Sequence, residues 1–422
     1  MRLQTLFFRV SSLAALSLLP ALAKAGDVEV MHYWTTPGSV AAINVLEEEV
    51  TRDGHSWKRL LVEDASGDRA METMKKRVLR GNPPSASQAK GPEIQRWAQL
   101  GFLQDLSDEA QAGQWDQLLP PVVAEAMKPR GEYVALPANI HRVNWMWVNK
   151  PLLDKFGGEI PETWAEFEAL AKRIKAAGYT PVAQSSQPYL AATLFETVAL
   201  GTAGEDAYRD IFVNHKSRMI KGEEVQSVFR QIARLKPYFS TSLPSQDWDE
   251  TVRAVIRGDA VFVFMGDWAK EVFNGAGKVQ GKDYLCAAAP GTKDKFIYNV
   301  DSLAMFKLTD PERIEGQKSL VRNMMSKEFQ IGFNKFKGSI PARMDIDMSQ
   351  FDGCAQESLR AFHAAEQNGS LVPTSAHGMA ASELVREGAN KSIWESLQTG
   401  RDPKDAAADL SRAIRYGQYL LK

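Results

Sequence analysis

The sequence predicts an α/β fold with a mostly parallel sheet covered by helices, in a chain long enough for two or more domain-sized cores. The chain has 422 residues, of which 44% are hydrophobic and 24% charged, an ordinary composition for a folded protein. Strand patterns alternate with helical patterns along it, which is typical of parallel sheets with helices on their faces. No internal repeat, low-complexity tract or long linker divides the chain. Ordered crossings must therefore join the predicted lobes.

The first elements of the mature chain show this alternation clearly. Residues 28–34 (VEVMHYW) and 59–65 (RLLVEDA) have strand patterns. Residues 41–54 and 69–81 have helical spacing, and both segments end at Gly. The order β, α, β, α predicts a sheet in which neighbouring strands run parallel.

The clearest predicted helix lies in the stretch PETWAEFEALAKRIKAAG. Thr163 and Glu166 have the spacing of a capping box, and Gly178 ends the helix. The helical spacing places five apolar side chains in one stripe that should face a core: Trp164, Phe167, Leu170, Ala171 and Ile174.

A second well-marked unit lies in the stretch DETVRAVIRGDAVFVFMGDWAKEVF. It predicts a helix ending at Arg257, a strand over residues 260–265, a turn at Gly266 and a helix N-cap at Asp267. The order is again helix, strand, helix. This unit should belong to the same layered architecture.

The crossings between lobes are expected near residues 136–149 and 298–306, which are extended and apolar with polar interruptions. Within the first, His141 and Arg142 are expected to brace the crossing. The run WMW at residues 145–147 is expected to belong to a core, because three adjacent large side chains are typical of buried positions. Two crossings would make each lobe discontinuous in sequence.

The first 25 residues resemble a signal peptide. Arg2 and Arg9 provide positive charge, an apolar run follows, and small residues end at Ala25 where a signal peptidase would cut. The apolar run is short and contains Pro20, which argues against a retained membrane span. We therefore expect a soluble protein exported to the periplasm and cleaved after Ala25.

The charge balance and the cysteine content limit which partners the protein is expected to bind and in which compartment it is expected to work. Lys and Arg total 51 against 52 for Asp and Glu, so no excess positive charge favours nucleic acid or an anionic membrane. The chain has two cysteines, Cys286 and Cys354. In an oxidising compartment they are expected to form one disulfide, and two separate buried thiols are the alternative.

The motifs of common hydrolases and nucleotide-binding enzymes are missing. The sequence has no G-x-S-x-G, H-E-x-x-H, G-x-x-x-x-G-K-[ST] or G-x-G-x-x-G pattern. No two of its six histidines have metal-ligand spacing on one helix, so we predict no metal and no cofactor. A glycosidase needs only two carboxylates, so a secreted glycosidase remains the rival to a binding protein.

Several short stretches combine aromatic or polar side chains with turn residues, where open α/β sheets present ligand contacts. They include HYWTTPGS, HRVNW, GDWAK, KGSIP and AHGMA, in this order over nearly the whole mature chain. In these stretches the chain resembles the extracellular solute-binding proteins (family 1) of ABC sugar importers, above all the periplasmic glucose-binding proteins of pseudomonad-type bacteria. The resemblance implies a periplasmic-binding-protein-like fold, in which two α/β lobes are joined by a hinge with the ligand cleft between them.

The resemblance also implies a function and a domain layout. The protein would bind glucose or a related monosaccharide, without catalysis, and present it to an inner-membrane ABC permease with its ATPase. We expect a monomer that binds no nucleic acid. The signal peptide would occupy residues 1–25, the N-terminal lobe residues 26–138 and 299–340, and the C-terminal lobe residues 139–298 and 341–422.

Carried over residue by residue, the resemblance implies a set of ligand contacts. Trp34 would stack on the sugar, Trp268 would be a second stacking ring, and the polar contacts would be Lys90, Asn299, Asp301, Lys337 and His377. Four of these residues have a structural alternative: Trp34 as the core ring of the Tyr33–Trp34 pair, Trp268 as a cover for its strand, Lys90 as a surface lysine, and His377 as a helix cap. Replacing Asp301 is expected to weaken binding far more than the fold.

Four positions depart from the pattern of the glucose binders. Tyr33 and Tyr189 stand where these proteins carry Trp, Ser39 stands where an acid is expected, and Gly378 stands where they carry Asn. All four changes shrink or soften the pocket wall. They allow a larger ligand, such as a disaccharide or a glycoside, as the alternative to glucose.

Overall fold

The computed structural model describes residues 25–62, 68–241 and 247–421. The predicted signal peptide, except for Ala25, lies outside the described residues. Within the described part of the chain, no helix combines the length and the apolar character needed to cross a membrane.

The described residues form strands and helices in an order that alternates along much of the chain. The strands are β1 (Asp27–His32), β2 (Ser56–Leu61), β3 (Ala86–Ala89), β4 (Ala135–Pro137), β5 (His141–Arg142), β6 (Trp145–Asn149), β7 (Phe262–Phe264), β8 (Tyr284–Ala288), β9 (Phe296–Asn299), β10 (Ser302–Met305) and β11 (Leu371–Pro373). The α-helices are α1 (Pro37–Arg52), α2 (Asp68–Leu79), α3 (Gly91–Gln99), α4 (Ser107–Ala112), α5 (Trp115–Leu118), α6 (Pro121–Met127), α7 (Lys150–Asp154), α8 (Trp164–Ala176), α9 (Pro188–Phe212), α10 (Ser217–Ile220), α11 (Glu223–Leu235), α12 (Trp248–Arg257), α13 (Ala269–Gly275), α14 (Pro311–Met324), α15 (Lys327–Lys337), α16 (Gly353–Gln367), α17 (Glu383–Thr399) and α18 (Pro403–Tyr419). Short 3₁₀ helices cover Pro129–Gly131, Lys236–Tyr238 and Met348–Gln350.

The N-terminal lobe is built on a sheet with the strand order β2-β1-β3-β10-β4. β1 pairs in parallel with β2 and β3, whereas β10 runs antiparallel to β3 and β4. Val28 and Val30 of β1 are fully buried, as are Ala42, Ile43 and Leu46 on the inner face of α1. This sheet confirms the predicted mostly parallel arrangement, because a single strand runs against the others.

The mostly parallel arrangement does not extend to the sheet of the C-terminal lobe. Its sheet has the order β7-β6-β8, and β6 is antiparallel to both neighbours. The direction follows from the connections: the chain enters the lobe along β6 and returns toward the lobe junction along β7 and β8. Trp145 and Trp147 are buried in this core, as predicted.

The best-marked predicted helix is confirmed in detail. α8 begins after Thr163, whose side chain accepts a hydrogen bond from the backbone N–H of Glu166, while the Glu166 carboxylate accepts from the Thr163 backbone. The apolar stripe predicted for this helix is buried in full. Gly178, in the left-handed region with φ 86°, ends the segment.

A small third sheet lies where the chain passes between the lobes. β5 pairs antiparallel with β9, and β9 pairs in parallel with β11. Alternate residues of β9 serve different cores: Phe296 and Tyr298 pack with the N-terminal cluster, and Ile297 packs with the C-terminal cluster. These strands are the hinge sheet, and β11 supplies a third passage in addition to the two predicted.

The segment after residue 340 contributes to both cores. Ala342, Phe351 and Phe362 belong to the N-terminal cluster, whereas Val372 and the helices α17 and α18 belong to the C-terminal cluster. The predicted lobe boundaries therefore remain a proposal. This packing favours ending the N-terminal lobe near β11 instead of at residue 340.

The predicted disulfide is present and joins Cys286 of β8 to Cys354 at the start of α16. The two cysteines are 68 residues apart in sequence. A crosslink of this length is expected to stabilise the fold by about 4 kcal/mol through lost entropy of the unfolded chain, although strain often reduces the gain.

We expect reduction to lower the free energy of unfolding by up to about 4 kcal/mol. Urea unfolding with and without dithiothreitol measures the difference. A Cys286→Ser/Cys354→Ser variant is the control, since it should match the reduced protein and not respond to the reductant. Equal unfolding midpoints for oxidised and reduced wild type would contradict the prediction.

Candidate ligand-binding site

A cavity of about 110 Å³ lies between the two lobes. Its wall contains all ten residues predicted to contact the ligand: Tyr33, Trp34, Ser39, Lys90, Tyr189, Trp268, Asn299, Asp301, Lys337 and His377. Sequence reasoning did not assign the remaining wall residues to the site: Thr35, Thr36, Gln88, His141 and Trp248. The fold thus brings the ten predicted residues together. That they contact a ligand stays a prediction.

The location follows from where the strands end. Tyr33 and Trp34 follow the last residue of β1, and Lys90 follows the last residue of β3, which is the parallel neighbour of β1. Trp268 follows β7, and His377 follows β11. Because ligand-binding clefts in α/β proteins form at the carboxyl ends of strands, these short loops converge on one cavity.

Asp301 is the centre of the polar network in the cavity. One carboxylate oxygen lies 3.0 Å from Lys90 Nζ, while the other accepts from Trp34 Nε1 at 3.3 Å and lies 3.2 Å from His141 Nε2. Asn299 Nδ2 also lies 3.5 Å from this carboxylate. Lys90 therefore has a defined charged partner and is not a surface lysine.

The charges of the network shift the pKa of each member. Burial alone would raise the pKa of Asp301, but Lys90 and His141 outweigh it and hold that pKa well below its usual range. Burial likewise opposes the charge on Lys90, yet Asp301 and then Tyr33 raise its pKa. Both groups therefore stay charged at neutral pH, and the pair can hydrogen bond strongly to neutral polar groups.

Asp267 was predicted to cap α13, and that prediction is wrong. The N-cap residue is Trp268, while the Asp267 carboxylate is bound to His141 Nδ1 and accepts from the backbone N–H of Arg142 at 2.9 Å. Burial acts to lower the pKa of His141, but Asp267 and Asp301 raise it. His141 braces the first passage between lobes as expected, and it also reaches the cavity.

The aromatic side chains of the cavity pack against further rings. Trp34 is 4% exposed and makes an edge contact with Phe333, with ring centroids 5.3 Å apart. Trp268 makes an edge contact with His377 at 4.9 Å. Trp34 is thus both a core ring and a cavity ring, so the two alternatives stated for it do not exclude each other.

His377 is held by α9 and does not cap the helix that follows it. Its Nε2 lies 3.0 Å from Thr193 Oγ1, and the N-cap of α17 is Ser382. The pKa of His377 lies well below the usual value for histidine, because burial lowers it, and so do the charges of Lys90, Arg386 and His141. His377 is therefore neutral at neutral pH, with one ring nitrogen able to donate and the other to accept.

Two amide groups in the cavity wall have unused hydrogen-bonding atoms. Gln88 Nε2 and Asn299 Oδ1 are buried and have no hydrogen-bond partner among the described residues. The other atom of the Gln88 amide, Oε1, is occupied by the backbone N–H of Tyr33 at 3.2 Å. A buried donor and a buried acceptor without partners are costly, unless a ligand supplies the missing bonds.

A second compartment of about 110 Å³ adjoins the cavity and shares Tyr33, Gln88, Lys90, Tyr189 and His377 with it. The rest of its wall consists of Met71, Ala89, Glu93, Ala376, Gly378, Ala381, Glu383 and Arg386. Glu93 Oε1 is buried without a hydrogen-bond partner in the described part of the chain. The compartment therefore extends the polar cleft beyond the first cavity.

A buried acid, Glu196 of α9, fixes the turn that carries His377. Its carboxylate accepts from Thr374 Oγ1 at 2.6 Å, from the backbone N–H of Ser375 at 2.7 Å and from the Tyr208 hydroxyl at 2.9 Å. Burial raises the pKa of Glu196 to about 7 in spite of these donors. The folded protein therefore binds this proton more tightly than the unfolded chain does.

This raised pKa predicts a pH-dependent stability. Protonation of Glu196 contributes fully to the free energy of unfolding below the ordinary pKa of about 4.5. This contribution is lost as the pH rises through about 7. The free energy of unfolding should thus fall across this window by an amount of order 2 to 3 kcal/mol. Urea unfolding of wild type and Glu196→Gln between these pH values tests it, because the variant cannot titrate there. A difference between the two proteins that is constant with pH would contradict the assignment.

Over residues 25–62, 68–241 and 247–421, no group of three or more His, Cys, Asp or Glu side chains is arranged to hold a metal ion.

The sequence matches the family of bacterial extracellular solute-binding proteins over residues 58–351. A probable sugar-binding periplasmic protein of Rhizobium meliloti is 34% identical over 409 residues, covering 97% of this chain and 98% of the relative. The chain belongs to this family. A second relative of this solute-binding protein, the probable sugar-binding periplasmic protein of Mesorhizobium japonicum, is 36% identical over 390 residues, 92% of this chain and 93% of that one.

Solved structures show the same two-lobed fold. A chitin oligosaccharide binding protein matches with a TM-score of 0.80 and 17% identity, covering 93% of this chain and 99% of its own. The bacterial solute receptor AcbH, described as preferring β-D-galactopyranose, matches with a TM-score of 0.80 and 16% identity, over 94% of this chain and 100% of its own. The solute-binding protein thus has the predicted fold. Its membership of the solute-binding family makes it a binding protein and not an enzyme.

Proposed function

We propose that this solute-binding protein captures a sugar in the periplasm and delivers it to an inner-membrane ABC permease with its ATPase. The observation that carries the proposal is the cavity between the lobes, where three Trp residues lie beside charged groups and beside two amides with unused hydrogen-bonding atoms. A pyranose has apolar C–H faces and a belt of hydroxyl groups. Aromatic rings cover such faces, and carboxylate, ammonium and amide groups bond the hydroxyls. The names of the relatives from Rhizobium meliloti and Mesorhizobium japonicum support the same class of ligand.

The first cavity favours a monosaccharide, glucose or a related hexose. Its Asp301 carboxylate can accept from hydroxyl groups, while the Lys90 and Lys337 ammonium groups and the Gln88 amide can donate to them. These roles of the pocket residues are part of the proposal. In it, Trp34 and Trp268 supply the stacking surfaces.

The second compartment favours the alternative, in which the ligand is a disaccharide or a glycoside. It continues the cleft past His377 toward Glu93 and Arg386, so a second ring or an aglycone would have polar partners there. The departures Tyr33, Tyr189 and Gly378 all line this compartment. The two candidates therefore differ in whether occupying the second compartment adds affinity.

A thermal-shift screen followed by titration calorimetry tests the proposal. A sugar that binds only the folded protein stabilises it by about 2.7 kcal/mol at 100 times its Kd, so the true ligand should raise Tm clearly. The panel should pair each monosaccharide with its methyl glycoside and with disaccharides that contain it. A monosaccharide that binds as tightly as its glycosides supports the first candidate, and a large gain for a disaccharide supports the second. No Tm shift and no heat with any sugar would overturn the sugar assignment.

A further inference from the structure

The carboxylate of Glu271 lies across the boundary between the lobes. Its helix, α13, packs Ala269, Val272 and Phe273 into the C-terminal core. Its hydrogen-bond partners belong to the N-terminal lobe: Thr36 and Ser39 at the start of α1, and Lys337 at the end of α15. One lobe thus supplies a charged acceptor for three side chains of the other.

The geometry of this contact is close. Glu271 Oε2 accepts from Ser39 Oγ at 2.9 Å and lies 3.5 Å from Lys337 Nζ, and Oε1 accepts from Thr36 Oγ1. Gly38 allows the approach, since a Cβ at that position would lie 2.7 Å from the Cβ of Glu271. Glu271 is 4% exposed and Lys337 is 6% exposed, so each needs the opposite charge of the other.

Thr36, Ser39 and Lys337 line the cavity, whereas Glu271 lies behind them and is not part of its wall. Lys337 Nζ also donates to Ser39 Oγ at 2.8 Å. An ammonium group has three donors, of which Ser39 and Glu271 take two. One donor of Lys337, which lines the cavity, is therefore left for a ligand.

We propose that Glu271 is the positioning residue of the binding site, which orients Lys337, both directly and through Ser39, toward the ligand when the lobes come together. The inference rests on the proposed function and adds to it the link between lobe contact and ligand affinity. A hinge motion that separates α13 from α1 removes the carboxylate from Lys337 and frees the ammonium group to rotate. Ligand binding and the interlobe contact therefore favour each other, because both need the same orientation of Lys337.

A double-mutant cycle tests whether Glu271 acts through Lys337. Affinity for the sugar that most raises the Tm of wild type is measured by titration calorimetry in wild type, Glu271→Gln, Lys337→Met and the double variant. Each single change should lower affinity about tenfold or more, the equivalent of 1.4 kcal/mol. The double variant should bind within about twofold of Lys337→Met, because a positioning residue has nothing left to position. Losses that multiply in the double variant would overturn the inference.

Lys75→Gln is the matched control. It breaks a different ion pair between the lobes, Lys75 of α2 with Glu383 of α17, and Lys75 is outside the cavity wall. In the double variant Lys75→Gln/Lys337→Met, the fold-losses of affinity caused by the two changes should multiply. If Glu271→Gln does not fold, Glu271→Asp keeps the charge and is put through the same cycle. Wild type that binds no sugar refutes the proposed function, whereas sugar binding with independent losses refutes this inference alone.

Discussion

Replacing Asp301 by Ala is expected to weaken sugar binding roughly 10- to 150-fold, the equivalent of about 1.5–3 kcal/mol for hydrogen bonds to a charged group. The structure adds a second effect that the sequence did not predict. Asp301 is 3% exposed and holds Lys90, His141 and Trp34 at once, so its removal leaves buried charges without a partner. Breaking a buried ion pair in this way typically destabilises a protein by about 3–5 kcal/mol. For Asp301→Ala we therefore expect a large loss of stability together with the loss of affinity, and not a loss of affinity alone.

Asp301→Asn separates the two effects, because it keeps the volume and one acceptor but removes the charge. We expect it to fold and to bind weakly. Calorimetry gives the affinity, and urea unfolding gives the stability of both variants. If Asp301→Asn and wild type bind the same sugar equally well, the ligand does not contact Asp301.

Trp34→Ala is expected to produce the second large effect. Losing the stacking surface should lower affinity at least tenfold, since about 50 Å² of contact at about 25 cal/mol per Å² exceeds 1 kcal/mol. Because the ring also packs against Phe333, truncation should lower the free energy of unfolding by about 3–5 kcal/mol. Trp34→Phe keeps a ring but loses the Nε1–H that Asp301 accepts, and its affinity reports the share due to stacking.

The control for Trp34 is Trp164→Ala, in the C-terminal core and outside the cavity wall. It should lower stability by a similar amount and leave the affinity of the folded protein unchanged. The affinities of these variants and of wild type are compared at a temperature at which all of them are folded. If both variants lose affinity equally, the effect of Trp34 is structural and the ring is not a platform.

Local signals predicted local structure well. The capping box of Thr163 and Glu166, the stripe of α8 and the C-terminal end of α12 depend on residues within a few positions of each other, where spacing determines which atoms meet. The disulfide needed only two cysteines and an oxidising compartment. The resemblance, not periodicity, supplied the two lobes and the residues that meet in the cavity.

Contacts between distant segments were missed. Asp267 has the sequence position of a cap, but a buried strand end brings His141 within reach of its carboxylate, 126 residues away. The antiparallel C-terminal sheet follows from the return of the chain to the junction, which no local pattern records. Each miss arises where tertiary contact outweighs a local preference.

Ser39 illustrates the same limit in the site. The sequence indicated a lost acid at this position, yet an acid is present beside it, because Glu271 of the other lobe lies 2.9 Å from the Ser39 hydroxyl. The stretch GDWAKEVF contained Glu271, but nothing in its spacing pointed to residue 39. An acid introduced at residue 39 would meet the Glu271 carboxylate, and like charges buried together repel.

The passages through the hinge sheet determine when each lobe can fold. The N-terminal core includes side chains as far along the chain as Met379, and the C-terminal core extends to Ile414. Neither core is complete until almost all of the polypeptide has left the ribosome, and contacts between distant segments form slowly. A nascent chain of this design is expected to stay unfolded for most of its synthesis. The two lobes should therefore fold late and nearly together, because each waits for side chains from the last part of the chain.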